Sequence, residues 1–555
     1  MWRALAISLS SLLVGCAQYD SDRSATSGPT REQRPNILLI VADDLGYSDV
    51  GAFGSEIPTP TLDGLASQGM ILTNFHVSMT CSPTRAMLMT GADNHEVGLG
   101  NMAELMAENQ RGQPGYEGYL NERVQPLAER LTATGYHTYV SGKWHLGTAR
   151  EHAPKNRGFE QSFGPIYGGG DHFRDRFGPD EARQDLLYRE NGNLLRELPK
   201  DFYSTTFYTD RVIQQIDSNL GDGRPFFAYL SYTAPHWPLQ APDRYLGKFR
   251  GAYDQGYDAV RDARVRAQVR LGLLENRAKA APRPDHVTPW SELTADDRLY
   301  HSRRMEIYAA MVSYMDASIQ RVLDYLSANG LRENTVVVFM SDNGAEAWSE
   351  DFGPPGWAVR DFAAKFDNTL DNAGRAGSFV FYGPEWAHVS NTPFRGFKGS
   401  LEEGGIRVPA IVSWPGHVAP GSRSDALTFV RDWYTTFSEI AGLEDRDGGH
   451  SLVPLLRQIV DEVRDFNDPI GLELLGMRSI LQGDWKGTLS PQPFGDGAWK
   501  LYHLPSDPAE TINLADTEAD QLQLLLQSWA NYEQENNVIL PEGPLTISDP
   551  DIPAE

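Results

Sequence analysis

Three short apolar runs limit what this chain can fold into. They are NILLIVADD (Asn36–Asp44), PFFAYLSYTAPH (Pro225–His236) and TVVVFMSDNG (Thr335–Gly344). Each is too short for a buried helix, rich in β-branched or aromatic residues, and lacks polar alternation, so each reads as a strand covered on both faces. YHTYVSGKWH (Tyr136–His145) and RVPAIVSW (Arg407–Trp414) are further candidate strands. Between them lie helical stretches near Leu127–Thr134, Phe207–Leu220 and Met305–Leu326, the last with Ile307, Met311, Met315, Ile319, Val322 and Leu326 at helical spacing. Strands alternating with helices predict an α/β fold with a large mixed, mostly parallel central sheet flanked by helices. The stretch 241–304 reads as an excursion covering the strand ends. After about residue 465 the pattern changes: MRSILQGDWKG and AWKLYHLPSDPAETINLA predict a twisted antiparallel sheet, and a helix follows over roughly Asp520–Gln534. The main domain is therefore placed at 34–465 and a small C-terminal α+β subdomain at 466–555.

The N-terminus has a different logic. Arg3 precedes an apolar run, Ala4–Val14, too short to span a bilayer, which ends in Leu13-Val14-Gly15-Cys16. This resembles a lipoprotein signal, residues 1–16, with the lipid placed on Cys16. Residues 17–33 have the composition of a solvated tether. The protein is then exported, as a periplasmic or outer-membrane-anchored lipoprotein whose only membrane contact is the lipid. A net charge of −26 argues against nucleic acid as a partner and requires a locally positive pocket for any anionic substrate. The chain has two cysteines, so lipidation of Cys16 leaves Cys81 without a disulfide partner.

Polar residues recur just past the strand ends: Asp43 and Asp44, Lys143 and His145, His236, Asp342 and Asn343. Open α/β sheets bind ligands at that edge, so these segments are expected to converge. Asp43, Asp44, Asp342 and Asn343 offer only oxygen donors, the set that suits calcium or magnesium. Cys81 is at odds with them, because a thiolate is a soft ligand. Pro83 places it in a helix first turn, which favours anions and lowers a thiol's pKa. A buried structural cysteine and a thiol nucleophile with a histidine base are both open at this point. Arg85, Lys143 and Lys398 with His145 and His236 would make a clamp for a tetrahedral oxyanion, as phosphoryl or sulfuryl transfer requires. Lys143 and His145 are two apart, so an extended backbone would put both on one face.

Cys81-Ser82-Pro83-Thr84-Arg85, continuing to Thr90-Gly91, resembles the type I sulfatase signature. VADDLG (41–46), TGADNH (90–95), GKWHLG (142–147), APHWPLQAP (234–242), SDNG (341–344) and TPFRGFKGSLEEGGIRVP (392–409) look like sulfatase motifs in the family's order. The likeness runs from about residue 34 to the C-terminal helix and looks closest to bacterial arylsulfatases. Thr84 and Met89 are mild departures from the commoner serine and leucine.

The resemblance implies an alkaline-phosphatase-like fold and hydrolysis of sulfate monoesters. It implies that a maturation enzyme oxidises Cys81 to formylglycine, whose hydrate has hard oxygen donors. Asp43, Asp44, Asp342, Asn343 and the modified Cys81 would hold one divalent cation, calcium before magnesium. One diol oxygen would attack sulfur, with Arg85, Lys143 and Lys398 on the sulfuryl oxygens. His236 and Lys398 would protonate the leaving oxygen. His145 would deprotonate the second hydroxyl so that sulfate leaves and the aldehyde returns. Two alternatives stay open: a phosphonate monoester or phosphodiester hydrolase on the same fold, and a non-catalytic surface binding protein. The substrate is a small-molecule or glycan sulfate ester, with specificity expected in the 241–304 and 346–390 stretches.

Overall fold

Every residue of the strands Asn36–Ala42, Phe226–Ser231 and Thr335–Ser341 is buried, which is why their sequences lack the polar alternation of a half-exposed sheet. The computed structural model describes residues 34–174, 187–195, 197–352, 359–444 and 448–543. The signal and tether, with Cys16, lie outside the described residues, as does the end of the C-terminal stretch, 544–555. Pro35–Glu555 forms one compact unit.

A ten-stranded sheet runs in the order Ser422–Ser424, Met70–Leu72, Ala410–Ser413, Thr335–Ser341, Asn36–Ala42, Phe226–Ser231, His137–Gly142, Gln161–Pro165, Tyr188–Glu190, Asn193–Leu195. From Thr335–Ser341 to Gln161–Pro165 all neighbours are parallel. Ala410–Ser413 is antiparallel to both of its neighbours, and antiparallel pairs also finish the far edge. The sheet is thus mixed and mostly parallel at its centre, as the alternation of runs implied.

Helices cover both faces. Leu38, Ile40 and Ala42 enter one apolar cluster with Ile307, Met311, Met315, Ile319, Val322 and Leu326 of the long helix Ala295–Ala328. Ile37, Leu39 and Val41 enter the other, with Ala86, Met87, Leu88 and Met89 of the helix Cys81–Thr90. The period-two split of one strand between two cores is what a sandwiched sheet requires.

The long helix begins at Ala295, ten residues before the Met305–Leu326 stretch that signalled it. Thr294 caps it by accepting a hydrogen bond from the Asp297 amide, and Asp296 and Asp297 sit in the first turn, where carboxylates are favoured. The 241–304 stretch therefore includes that helix's first turns and its own helix, Tyr257–Leu271.

The C-terminal sheet is four-stranded and antiparallel: Ile470–Leu474, Met477–Gln482, Trp485–Leu489, Trp499–His503. Ile480 and Leu501 pack against Leu525, Trp529 and Tyr532 of the helix Ala519–Glu535. Leu472, Leu474, Met477 and Leu481 face the other way and join the core of the large sheet.

His95 fixes this junction. Its buried ring lies 2.7 Å from Asp93 Oδ1 and 3.0 Å from Glu473 Oε2. Burial lowers its pKa, but the two carboxylates outweigh that and raise it to about 9. A raised folded-state pKa contributes stability that is complete below the unfolded value and is lost as pH rises through the folded one. The contribution, roughly 3 kcal/mol for a shift of this size, is expected to vanish between about pH 6.5 and 9. Urea unfolding at the two ends of that window should show wild type losing stability relative to His95→Gln; parallel losses would refute a charged His95.

Candidate active site

The central strands end in register. Ala42 pairs with Ser341, and Gly142 with Ser231, so the chain leaves the sheet at one level into Asp43, Asp342 and Lys143. The Asp342 amide donates to Ala42 O at 3.2 Å and the Lys143 amide to Ser231 O at 2.8 Å, extending the ladder one step into the site. Gly142 has φ +113°, and a Cβ there would strike the Ser231 carbonyl, so glycine is what lets this strand turn out beside its neighbour.

The structure brings Asp43, Asp44, Arg85, Lys143, His236, Asp342, Asn343 and Lys398 together as interlocking pairs, with the Cys81 sulfur beside Asp43 and Asp342. Lys143 Nζ lies 2.9 and 2.8 Å from the two oxygens of Asp43. Arg85 holds Asp342 Oδ2 through Nε and Nη2, at 2.8 and 2.7 Å. Its Nη1 donates to Lys143 O at 3.0 Å and to the Tyr229 hydroxyl at 3.1 Å. Lys398 Nζ lies 2.9 Å from Asp44 Oδ1 and 3.2 Å from Glu346 Oε2. His236 Nε2 is 3.6 Å from Asp44 Oδ2. Its Nδ1–H donates to Trp237 O at 2.6 Å, which fixes the tautomer and turns Nε2 toward the site.

His145 departs from the extended geometry expected of the GKWH segment. It has φ +58°, so it does not share a face with Lys143; Nε2–H donates to Glu104 Oε1 at 2.9 Å. Among the described residues, Nδ1 is buried without a hydrogen-bond partner. Burial lowers the pKa of both histidines, most strongly at His236. His145 is a neutral imidazole with a free lone pair, its ring oriented by a carboxylate, which is the arrangement of a general base.

Cys81 is the first residue of a helix buried along its whole length. The helix start does not produce the low pKa expected there: burial pushes the thiol up to about 12, beyond what Lys143 and Lys398 recover. A neutral thiol at pH 7 is neither an activated nucleophile nor a metal ligand.

Metal-ligand geometry is present. Ligand atoms of Asp43, Cys81 and Asp342 lie within 4.8 Å of one another, as do those of Asp43, Asp44 and His236. Burial raises Asp43 to about 8 against the pull of Lys143, and Asp342 and Asp44 push the same way. Asn343 Nδ2 donates to Asp44 Oδ1 at 2.7 Å, while its Oδ1 is buried with no donor among the described residues. Crowded carboxylates and an orphaned amide oxygen fit a hard divalent cation held by Asp43, Asp44, Asp342 and Asn343.

Glu104 and Glu346 have no signal in the sequence, since both lie in segments without periodicity. The same holds for Gly168 and Gly169: a Cβ on Gly168 would collide with the His145 ring, and one on Gly169 would come within 2.9 Å of the His236 ring. Their bare backbone is the surface on which both imidazoles rest. His172 supports the same loop, with Nε2 3.0 Å from His236 O and Nδ1 2.8 Å from Ser204 Oγ.

A family profile described as Sulfatase matches residues 35–443. An uncharacterized sulfatase of Schizosaccharomyces pombe is 42% identical over 528 residues, covering 91% of this chain and 95% of that one. An arylsulfatase of Klebsiella aerogenes is 37% identical over 445 residues, covering 80% and 92%. Among solved structures, Ps i-CgsB in complex with k-i-k-neocarrahexaose superposes with TM-score 0.66 at 26% identity, covering 92% of this chain and 95% of that one.

Isothermal titration of chelator-treated protein with a hard divalent cation is expected to show binding that Asn343→Ala weakens at least about tenfold, without loss of fold, because even an indirect support of a metal costs that much. Equal affinity in the two proteins would remove Asn343 from the ligand set.

Proposed function

The chain belongs to the sulfatase family and is a sulfuric ester hydrolase, and on that premise we propose that it works through formylglycine at Cys81, with calcium as its cation. The supporting observation is the mismatch at Cys81. Its sulfur sits within ligand distance of Asp43 and Asp342, yet burial keeps it a neutral thiol. Conversion of the side chain to a hydrated aldehyde replaces the soft sulfur with two hard oxygens, one to attack sulfur and one to release it. Asp43, Asp44, Asp342 and Asn343 would hold the cation, which would supply Lewis-acid polarisation there.

The remaining work falls to side chains. Lys143 and Lys398 receive the sulfuryl oxygens as negative charge builds on them; Arg85 stands behind Asp342 and Asp43 and completes the positive field. Lys398, whose pKa is raised well above normal by Asp44 despite burial, and His236 face the leaving oxygen as proton donors. An arriving sulfate monoester brings its own negative charge beside His236 and favours protonation of the ring. His145 Nδ1, with its partner-free lone pair, takes the proton of the second hydroxyl, and Glu104 steadies the resulting imidazolium. The ester is an aryl or glycan monosulfate. The Leu13–Cys16 signal ending supports an exported, lipid-anchored enzyme.

Mass spectrometry of the tryptic peptide carrying Cys81, from protein made in its native host, is expected to show a loss of about 18 Da relative to the thiol. An intact thiol in protein that turns over nitrophenyl sulfate would overturn the mechanism. Cys81→Ser should keep the fold and the metal but stop after one sulfuryl transfer, since a serine sulfate has no second hydroxyl for His145 to deprotonate. A faster rate on a phosphate diester than on nitrophenyl sulfate would move the assignment to the diesterase alternative. Gly168→Ala should displace His145 and lower kcat by up to about 100-fold, the usual cost of an ångström-scale misplacement, while the first sulfuryl transfer in a burst experiment stays near the wild-type rate. A proportional loss in both phases would place the effect elsewhere.

A further inference from the structure

The segment that follows the helix Ala519–Glu535 takes no part in the catalytic steps, yet it is firmly held. The Ile539 amide donates to the Tyr116 hydroxyl at 2.7 Å. The Ile539 carbonyl accepts from Gln110 Nε2 at 2.7 Å and from the same hydroxyl at 3.2 Å. Asn109 donates from Nδ2 to Leu540 O and accepts the Glu542 amide at Oδ1, both at 2.9 Å. Asn537 Nδ2 donates to Pro114 O at 3.3 Å. Gln110 and Tyr116 are fully buried. A segment of this kind ordinarily frays unless something ties it down, and here the ties come from 109–116.

Gln110 passes the restraint on. Its Oε1 accepts from the Ala107 amide and from Asn101 Nδ2, each at 3.1 Å. A carbonyl on one side and an N–H on the other fix which way round the amide sits. Asn101, also fully buried, brackets the short turn Ala103–Leu105. Its Oδ1 accepts from the Met102 amide at 2.8 Å, and its Nδ2 donates to Leu105 O at 3.1 Å. Glu104 is the middle residue of that turn, and its Oε1 lies 2.9 Å from His145 Nε2. Hydrogen bonds thus run from Ile539 through Gln110 and Asn101 to the backbone on both sides of Glu104. A turn of three residues has few bonds of its own with which to hold a side chain in place.

We propose, resting on the reading of His145 as the base that releases sulfate, that 537–542 is a strap that sets this base. Gln110 and Asn101 are positioning residues: they keep Glu104 against the His145 ring so that Nδ1 faces the second hydroxyl. Gly168 limits the same ring from another side. The strap acts on one half of the reaction. Transfer of the sulfuryl group to the enzyme uses Lys143, Lys398 and His236, which are held by Asp43, Asp44 and the Trp237 carbonyl instead. Release of sulfate needs the proton of the second hydroxyl on His145 Nδ1. A Glu104 that wanders loses both the orientation of that ring and the charge that steadies its protonated form.

The test is steady-state kinetics of matured full-length enzyme, for wild type, Gln110→Ala and Glu104→Ala. The substrate is 4-nitrophenyl sulfate, chosen because its good leaving group speeds the first half of the reaction. kcat/KM reports the first irreversible step, sulfuryl transfer to the enzyme, whereas kcat includes sulfate release. Gln110→Ala is expected to lower kcat about tenfold or more, within the range for a misplaced catalytic group. KM should fall with it, so that kcat/KM stays near wild type. Rapid mixing should then show a burst of nitrophenol equal to the enzyme concentration before slow turnover. Hydrogen–deuterium exchange of the 101–107 backbone should rise in the same variant. An unchanged kcat, or a fall in kcat/KM that matches the fall in kcat, overturns the proposal. Should Gln110→Ala not fold, Tyr116→Phe removes only the hydroxyl that grips Ile539. It is expected to show the same joint fall in smaller measure together with faster exchange, and unchanged values of both overturn the strap. Glu104→Ala separates the strap from the reading beneath it. A joint fall there without one in Gln110→Ala sinks the strap alone. An unchanged kcat there sinks the reading of His145 as base. The exchange of 101–107 then tests the strap by itself, and no rise in Gln110→Ala overturns it.

Discussion

The site depends on one buried guanidinium. Arg85 has no exposed surface, and burying it unpaired would cost several kcal/mol. It is held by Asp342 from one strand end, by the Lys143 carbonyl from a second and by the Tyr229 hydroxyl on a third. One side chain on the helix beneath the sheet thereby ties three strands together. Lys143 and Asp43 then close between two of them. The three carboxylates Asp43, Asp44 and Asp342 are matched by the three cations Lys143, Lys398 and Arg85. A divalent cation and a monoanionic sulfate ester entering together would add one positive charge, which the Glu346 carboxylate beside Lys398 offsets.

Lys398 is the member of this set that comes from no strand end. It lies in the loop 392–406, and that loop is tied down from behind. Glu403 meets Lys486 of the C-terminal sheet at 2.8 Å and His76 at 3.1 Å, and Lys486 meets Glu510 at 2.8 Å, all fully buried. Arg395 in the same loop pairs with Glu402 and donates to Glu510 O. The small sheet thus contributes no group to the sulfuryl clamp, but it fixes the backbone that carries one. This gives the C-terminal segment a role in the chemistry that its distance from Cys81 would not suggest.

The strand-end residues are legible in the sequence because adjacency to a buried strand is a local signal. Asp43, Asp342 and Lys143 directly follow the last residue of apolar runs, and parallel pairing in register must bring such positions together. Glu104, Glu346, Gly168 and Gly169 carry no such signal. They reach the site through loops whose paths depend on packing, and their partners are distant in the chain, 41 residues away in the case of Glu104 and His145. The left-handed turns at Asp44 and His145 are hidden for a related reason: extended backbone is the default after a strand, and only tertiary contacts make φ near +60° tolerable for a residue with a side chain. The charged network around Lys486 is invisible because an isolated lysine in a strand is ordinarily solvent-facing.

The burial of Cys81 connects these points. A nucleophilic thiol needs an electropositive, partly open position in which its anion is stable. Cys81 instead sits among the carboxylates of Asp43 and Asp342 under complete cover, and its pKa rises to about 12. The same surroundings would suit an oxygen diol: a cation among the carboxylates would want hard donors, Lys143 and Lys398 supply positive charge beside Cys81, and His145 Nδ1 carries a lone pair with no partner among the described residues. A pocket so poor for sulfur and so well provided for oxygen is built around the modified residue rather than the encoded one. On the proposed formylglycine reading, chemistry at this position depends on maturation of Cys81, a residue that the folded chain covers completely.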